Sequence, residues 1–132
     1  MPVYGWKPSY SVSVTRCDDD HKKLFALTNE LRTAILRGKS AEVMNKIVER
    51  LEEYSVFHFT AEEALLVKTS YPGLDAHRVE HKEFIDSLAK FRKQGIAIQP
   101  YEVLNFMNQW LINHIKGSDK QYSGHLNAKG VY

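Results

Sequence analysis

Residues 43–65 read VMNKIVERLEEYSVFHFTAEEAL, and the fold turns on this stretch. Val43, Ile47, Leu51, Tyr54, His58, Glu62 and Leu65 recur at steps of three and four, which lines them up along one face of an α-helix. The stripe begins apolar and ends in an imidazole and a carboxylate, so the interior it faces has to accept polar groups as well as hydrocarbon. Ser40 suits the N-cap, and Ser70-Tyr71-Pro72-Gly73 breaks the pattern, which predicts a helix over 41–69.

The flanking sequence carries the same periodicity. Upstream, His21, Leu24, Leu27, Leu31 and Ile35 share a face, with Asp18, Asp19 and Asp20 at the end where a helix dipole favours acids and Gly38 where a left-handed turn would stop it, giving a helix over 18–37. Downstream, His77, His81, Phe84, Leu88 and Phe91 line a helix over 74–94 that stops near Gly95. Pro100 fits the first turn of a fourth, over 100–117, with Val103, Met107, Trp110 and His114 inside and Gly117 near its end. Residues 1–17 carry Pro2, Gly5 and Pro8 and then alternate around Tyr10, Val12 and Val14, which reads as an extended arm tacked on by Trp6 and Tyr10. The stretch 120–132 reads as a tail, loosely held from Gly124 to Tyr132. The sequence thus predicts an all-α fold over 1–132: one antiparallel up-down-up-down four-helix bundle with an extended N-terminal arm.

Bulk properties narrow the function classes. Eighteen Lys and Arg stand against 16 Asp and Glu, a formal charge of +2 without a run of one sign, so nucleic acid is not an expected partner. The single cysteine, Cys17, allows no intramolecular disulfide and points to a reducing, cytoplasmic setting. Neither a secretory leader nor a membrane-inserting run of apolar residues is read in the chain.

Five of the six histidines fall on the inward stripes, and that concentration is the chemical signal. One buried imidazole is usually a hydrogen-bonded core residue. Five aimed at a common interior would compete for partners that apolar walls do not offer. His58 and Glu62 are four apart, as are His77 and His81, so each pair projects from successive turns of one face. His114 and Asp119 are five apart, which brings them together only if the helix widens into a π-bulge or loosens past Gly117. With His21 at the start of the first helix, the set is five imidazoles and two carboxylates. Seven donors exceed one tetrahedral zinc and are too nitrogen-rich for magnesium or calcium, whereas two transition-metal ions fit. Imidazole suits iron and a carboxylate can bridge, so a dinuclear iron centre is the natural inference, with manganese or zinc as alternatives.

Taken together, Asp18-Asp19-Asp20-His21-Lys22, His58-Phe59-Thr60-Ala61-Glu62-Glu63, Tyr71-Pro72, His77-Arg78-Val79-Glu80-His81 and Trp110-Leu111-Ile112-Asn113-His114-Ile115 followed by Asp119-Lys120 resemble the hemerythrins, and within them the bacterial single-domain members. The resemblance spans nearly the whole chain. It implies reversible dioxygen binding, for transport, storage or delivery, at two iron ions joined by an oxo or hydroxo bridge. His77, His81 and His114 would hold one iron and His21 and His58 the other. Glu62 and Asp119 would bridge, and the second iron would keep an open position for dioxygen. Phe59, Trp110, Leu111 and Ile115 would wall the oxygen pocket, although any bundle would bury such residues. Cys17 and Leu66 depart from the family pattern: the first reads as a small buried hydrophobe, the second stands where methionine is common. Asp20 reads as a helix-start acid before a partner for an imidazole, and His125 as a surface residue of the tail.

An enzymatic role, as a di-iron oxidase or peroxidase, is the alternative. Ferritin-like enzymes of that type use Glu-x-x-His pairs, and no Glu here has a His three residues later. A sensor module would need a separate output partner. The expectation is therefore a monomeric carrier, not an enzyme, that serves an oxygen-consuming enzyme.

Overall fold

A computed structural model describes residues 5–95 and 100–132; the first four residues of the predicted arm lie outside them. Five α-helices follow in order: α1 Thr15–Leu36, α2 Ala41–Lys68, α3 Leu74–Gln94, α4 Pro100–His114 and α5 Lys120–Ala128. Among the described residues there is no strand. Helix α1 packs on α2 and α4, and α3 packs on the same two, which closes a four-membered antiparallel ring.

Two apolar clusters fill the bundle. Leu27, Leu31, Val48, Leu51, Phe84, Leu88, Leu104 and Met107, drawn from all four long helices, form one. Val12, Val14, Cys17, Leu24, Phe25, Leu66, Leu111, Ile115, Tyr122 and Leu126 form the other. Each fully buried Leu or Phe contributes about 1.5–3 kcal/mol relative to exposure. On α2, His58 and Glu62 fall between Leu51 of the first cluster and Leu66 of the second, so the polar residues are carried at the level where hydrocarbon closes over them from both ends.

The structure departs from the sequence reading at several points. Helix α1 begins at Thr15 rather than 18. Ser13, at φ 59°, turns the chain, and the Asp18 carboxylate accepts from Ser11 Oγ at 2.6 Å and the Val12 amide at 2.8 Å, so this acid clamps the corner between arm and helix. The arm itself includes a 3-10 turn, Pro8–Tyr10, and Tyr10 stacks on Phe25 at 5.5 Å. At the start of α2 the buried residue is Met44, and Val43 is 40% exposed. Beyond His114 the helix does not stop near Gly117: Ile115–Asp119 form a π-helical turn and α5 runs on from it. The expected tail is helical because Tyr122 and Leu126, one turn apart, are fully buried. His125 lies on α5, partly buried, and its Nε2 bonds the Thr69 carbonyl at 2.7 Å, so it docks α5 onto the end of α2.

Candidate metal centre

His21, His58, Glu62, His77, His81, His114 and Asp119 come together, and none is more than 4% exposed. Their ligand atoms form two groups, His77, His81, His114, Glu62 and Asp119 in one and His21, His58 and Glu62 in the other, each with its atoms within 4.8 Å of one another. Asp119 reaches the group because the π-helical turn adds the extra residue that a five-residue step from His114 requires.

The carboxylates span the two groups atom by atom. Glu62 Oε1 lies 2.7 Å from His77 Nε2 and 3.0 Å from His81 Nε2, whereas Oε2 lies 3.1 Å from His58 Nε2 and 3.7 Å from His21 Nε2. Asp119 Oδ1 lies 2.9 Å from His77 Nε2 and 3.0 Å from His114 Nε2, with Oδ2 3.1 Å from His21 Nε2. Three imidazoles are fixed from behind. Nδ1 of His58 donates to Asp20 at 2.8 Å, Nδ1 of His81 to Glu63 at 2.7 Å and Nδ1 of His114 to Glu80 at 3.0 Å. Those carboxylates are themselves anchored, Asp20 by the Tyr54 hydroxyl, Glu63 by Arg78 and Glu80 by the Ser118 hydroxyl.

The tautomers follow, and they test whether a cation fits. With the proton of each neutral ring on Nδ1, the Nε2 atoms present lone pairs inward. His81 Nε2 and His114 Nε2 then face each other at 3.1 Å, and His58 Nε2 faces a carboxylate oxygen. Lone pairs at such separations repel unless positive charge lies among them. His21 Nε2, His58 Nε2 and both Asp119 oxygens are buried without a hydrogen-bond partner. Metal ions would satisfy every one of these atoms, so the residues fit a transition-metal site.

Protons are the only other source of that charge, and the titration behaviour shows the same demand. Burial by itself would lower the His58 and His77 values. The Glu62 charge and the Asp20 hydrogen bond outweigh it for His58, as the Asp119 and Glu62 carboxylates do for His77, and both rise to about 10. His21 and His114 are raised against burial mainly by Asp119. Glu62 is held well below the carboxylate range despite complete burial, first by the His58 charge, and Asp119 is lowered despite burial and the Glu62 charge, first by His114.

Phe59 stacks flat on His81 at 3.8 Å and lies 5.9 Å from the His58 ring; Trp110 stacks on His114 at 4.4 Å. Leu111 and Ile115 are buried in the second apolar cluster with Cys17 and Leu24. Asp20, read from sequence as a helix-start acid, is instead the partner of His58. Sequence reasoning missed Glu63, Glu80, Tyr54, Ser118 and Tyr122 as supporting residues. Glu63 and Glu80 sit next to Glu62 and His81 in the chain, a cue that carboxylates flanked the candidate donors. Tyr122 lies three residues past Asp119, in the segment taken for a tail. Burial and the charges of Glu62 and Asp119 push the Cys17 thiol up, so it stays protonated and acts as part of the core.

Comparison with known proteins bears on the chain as a whole. Residues 12–126 match the family profile described as the hemerythrin HHE cation-binding domain. A bacteriohemerythrin of Clostridium acetobutylicum is 31% identical over 128 residues, covering 91% of this chain and 98% of its own. A myohemerythrin of Theromyzon tessulatum is 32% identical over 123 residues, covering 93% of both. A crystal structure of wild-type hemerythrin superposes with a TM-score of 0.86 at 29% identity, covering 95% of this chain and 98% of that one.

Proposed function

Since this chain belongs to the hemerythrin family, we propose that it binds dioxygen reversibly at a pair of iron ions held in the cluster described above. The observation that carries the reading is the division of seven buried donors into unequal halves, three imidazoles against two, joined by two carboxylates that each present one oxygen to either side. His77, His81 and His114 would hold one ion and His21 and His58 the other, with Glu62 and Asp119 shared between them, and the half with two imidazoles would be the one open to dioxygen.

Bound iron supplies the electrons that dioxygen takes up on binding and returns on leaving. The chain's own part is to hold the ions and keep the pocket dry and poor in acids. Phe59, Trp110, Leu111 and Ile115, which would wall it, lie against the cluster or in the adjoining apolar core and bring no acidic group to it. The two nearby proton carriers are also ill suited to that role. Burial and the charges of Glu62 and Asp119 raise both the Cys17 thiol and the Tyr122 phenol, and the phenol proton is engaged by Glu62. These features support a carrier over an oxidase. A monomer that hands oxygen to an oxygen-consuming enzyme in the cytoplasm completes the proposal; no helix of the described residues is long and apolar enough to cross a membrane.

The test is optical. The iron-loaded protein, reduced without air, gains a visible ligand-to-iron charge-transfer band on exposure to oxygen and loses it when oxygen is removed. Continuous consumption of reductant with no reversible band would contradict the proposal and favour the enzyme.

A further inference from the structure

Glu62 is shared by both halves of the cluster, and its two oxygens are not equivalent. Each faces two imidazoles, but only Oε2, on the side of His21 and His58, takes a further partner: the Tyr122 hydroxyl donates to it at 2.8 Å. Asp119 spans the same halves, and neither of its oxygens accepts such a bond. Tyr122 is fully buried, its ring 5.6 Å from that of His77 and edge-on to Tyr71 at 6.5 Å. The phenol has one proton and gives it to Glu62, so the bond runs one way, from the phenol to one oxygen of the shared carboxylate.

A hydrogen bond to an anionic ligand oxygen draws electron density from it, and buried bonds of this kind are the strong ones. Partners behind a ligand both orient it and set how strongly it donates to a metal. We propose that Tyr122 is a positioning residue that makes the two halves of the centre electronically unequal: it fixes the Glu62 carboxylate across both and leaves the ion beside His21 and His58 the poorer in electron density. The half with fewer imidazoles therefore also receives the weaker carboxylate oxygen. The inference rests on the two-iron reading above.

The test uses the iron-loaded full chain and dye-mediated redox titration. Tyr122→Phe keeps the ring and removes the donor, so Glu62 donates more strongly and the oxidised state gains. The ratio of oxidised to reduced centre at a fixed poise rises about tenfold, a downward shift of about 59 mV for a one-electron step. Leu126→Ala loosens α5 while keeping the phenol; it lowers the melting temperature and leaves the potential in place. If Tyr122→Phe does not retain two irons, 3,5-difluorotyrosine at position 122 keeps the fold and strengthens the donor, and the potential moves upward.

A Tyr122→Phe protein with two irons and a ratio within about twofold of the parent overturns the proposal. So does an unmoved potential in the fluorinated protein, or an equal shift in Leu126→Ala. Iron content is measured in the parent first. Fewer than two ions there would sink the reading on which the proposal rests, whereas two ions with unresponsive potentials sink the role of Tyr122 alone.

Discussion

Asp20→Asn separates charge from shape at the support of His58. Asp20 Oδ2 accepts from His58 Nδ1 at 2.8 Å and Oδ1 from the Tyr54 hydroxyl at 2.8 Å. An asparagine of the same size can still accept from His58 through its oxygen and offer an N–H to Tyr54, because a hydroxyl can reverse its role. What disappears is the negative charge that makes the imidazole a stronger donor. Losing such a partner typically weakens metal affinity by about 10–100-fold. The loss should fall on the ion beside His21 and His58, while the ion held by His77, His81 and His114, still backed by Glu63 and Glu80, stays within about threefold. The metal-free fold loses only the charge assistance of two hydrogen bonds, on the order of 1 kcal/mol. Anaerobic titration with ferrous iron against a competing chelator resolves the two steps, and Glu63→Gln supplies the converse by weakening the step that involves His81. Tyr54 gives an independent optical check: burial and then Asp20 push its phenol up to about 12, so the variant ionises at lower pH. Equal weakening of both steps, or of neither, would refute the reasoning.

Three further predictions follow from named contacts. His77→Ala should abolish the two-ion site, whereas His125→Ala, which removes one bond to the Thr69 carbonyl, should leave metal content unchanged; equal effects in elemental analysis would contradict the assignment. In the metal-free protein the raised His58 and His77 values favour folding fully below their ordinary 6.5, and that contribution is lost as pH climbs through about 10. The melting temperature of the metal-free chain should therefore fall over that window, and iron, by replacing the protons, should flatten the profile; a rise would contradict the account. Phe84→Ala removes a fully buried ring packed against Phe59, Phe106 and Trp110 and should cost about 3–5 kcal/mol in denaturant unfolding.

Most of the fold was legible because the four long helices bury continuous stripes, and three- and four-residue steps survive in sequence without a partner to read them against. The convergence of the buried imidazoles and carboxylates was legible for the same reason, since His58, Glu62, His77 and His81 repeat on those stripes. Even the awkward spacing of His114 and Asp119 announced a widened turn, and Ile115–Asp119 is π-helical. What could not be read was contact across helices. Asp20 looked like an acid at a helix start because nothing local reveals that His58, 38 residues away, meets it. Glu63 and Glu80 have ordinary surface spacing until α2, α3 and α4 are assembled. The C-terminal segment was read as a tail because its buried stripe is short, one pair, Tyr122 and Leu126, at a four-residue step, and that pair anchors α5. That error hid Tyr122, the residue that reaches back to Glu62.

Anomalous diffraction at the iron edge, on crystals of protein reconstituted without air, tests the central claim most directly. Two peaks per chain should appear, both between the Glu62 and Asp119 carboxylates, one beside His77, His81 and His114 and the other beside His21 and His58. A single peak, or peaks away from these side chains, would contradict the account.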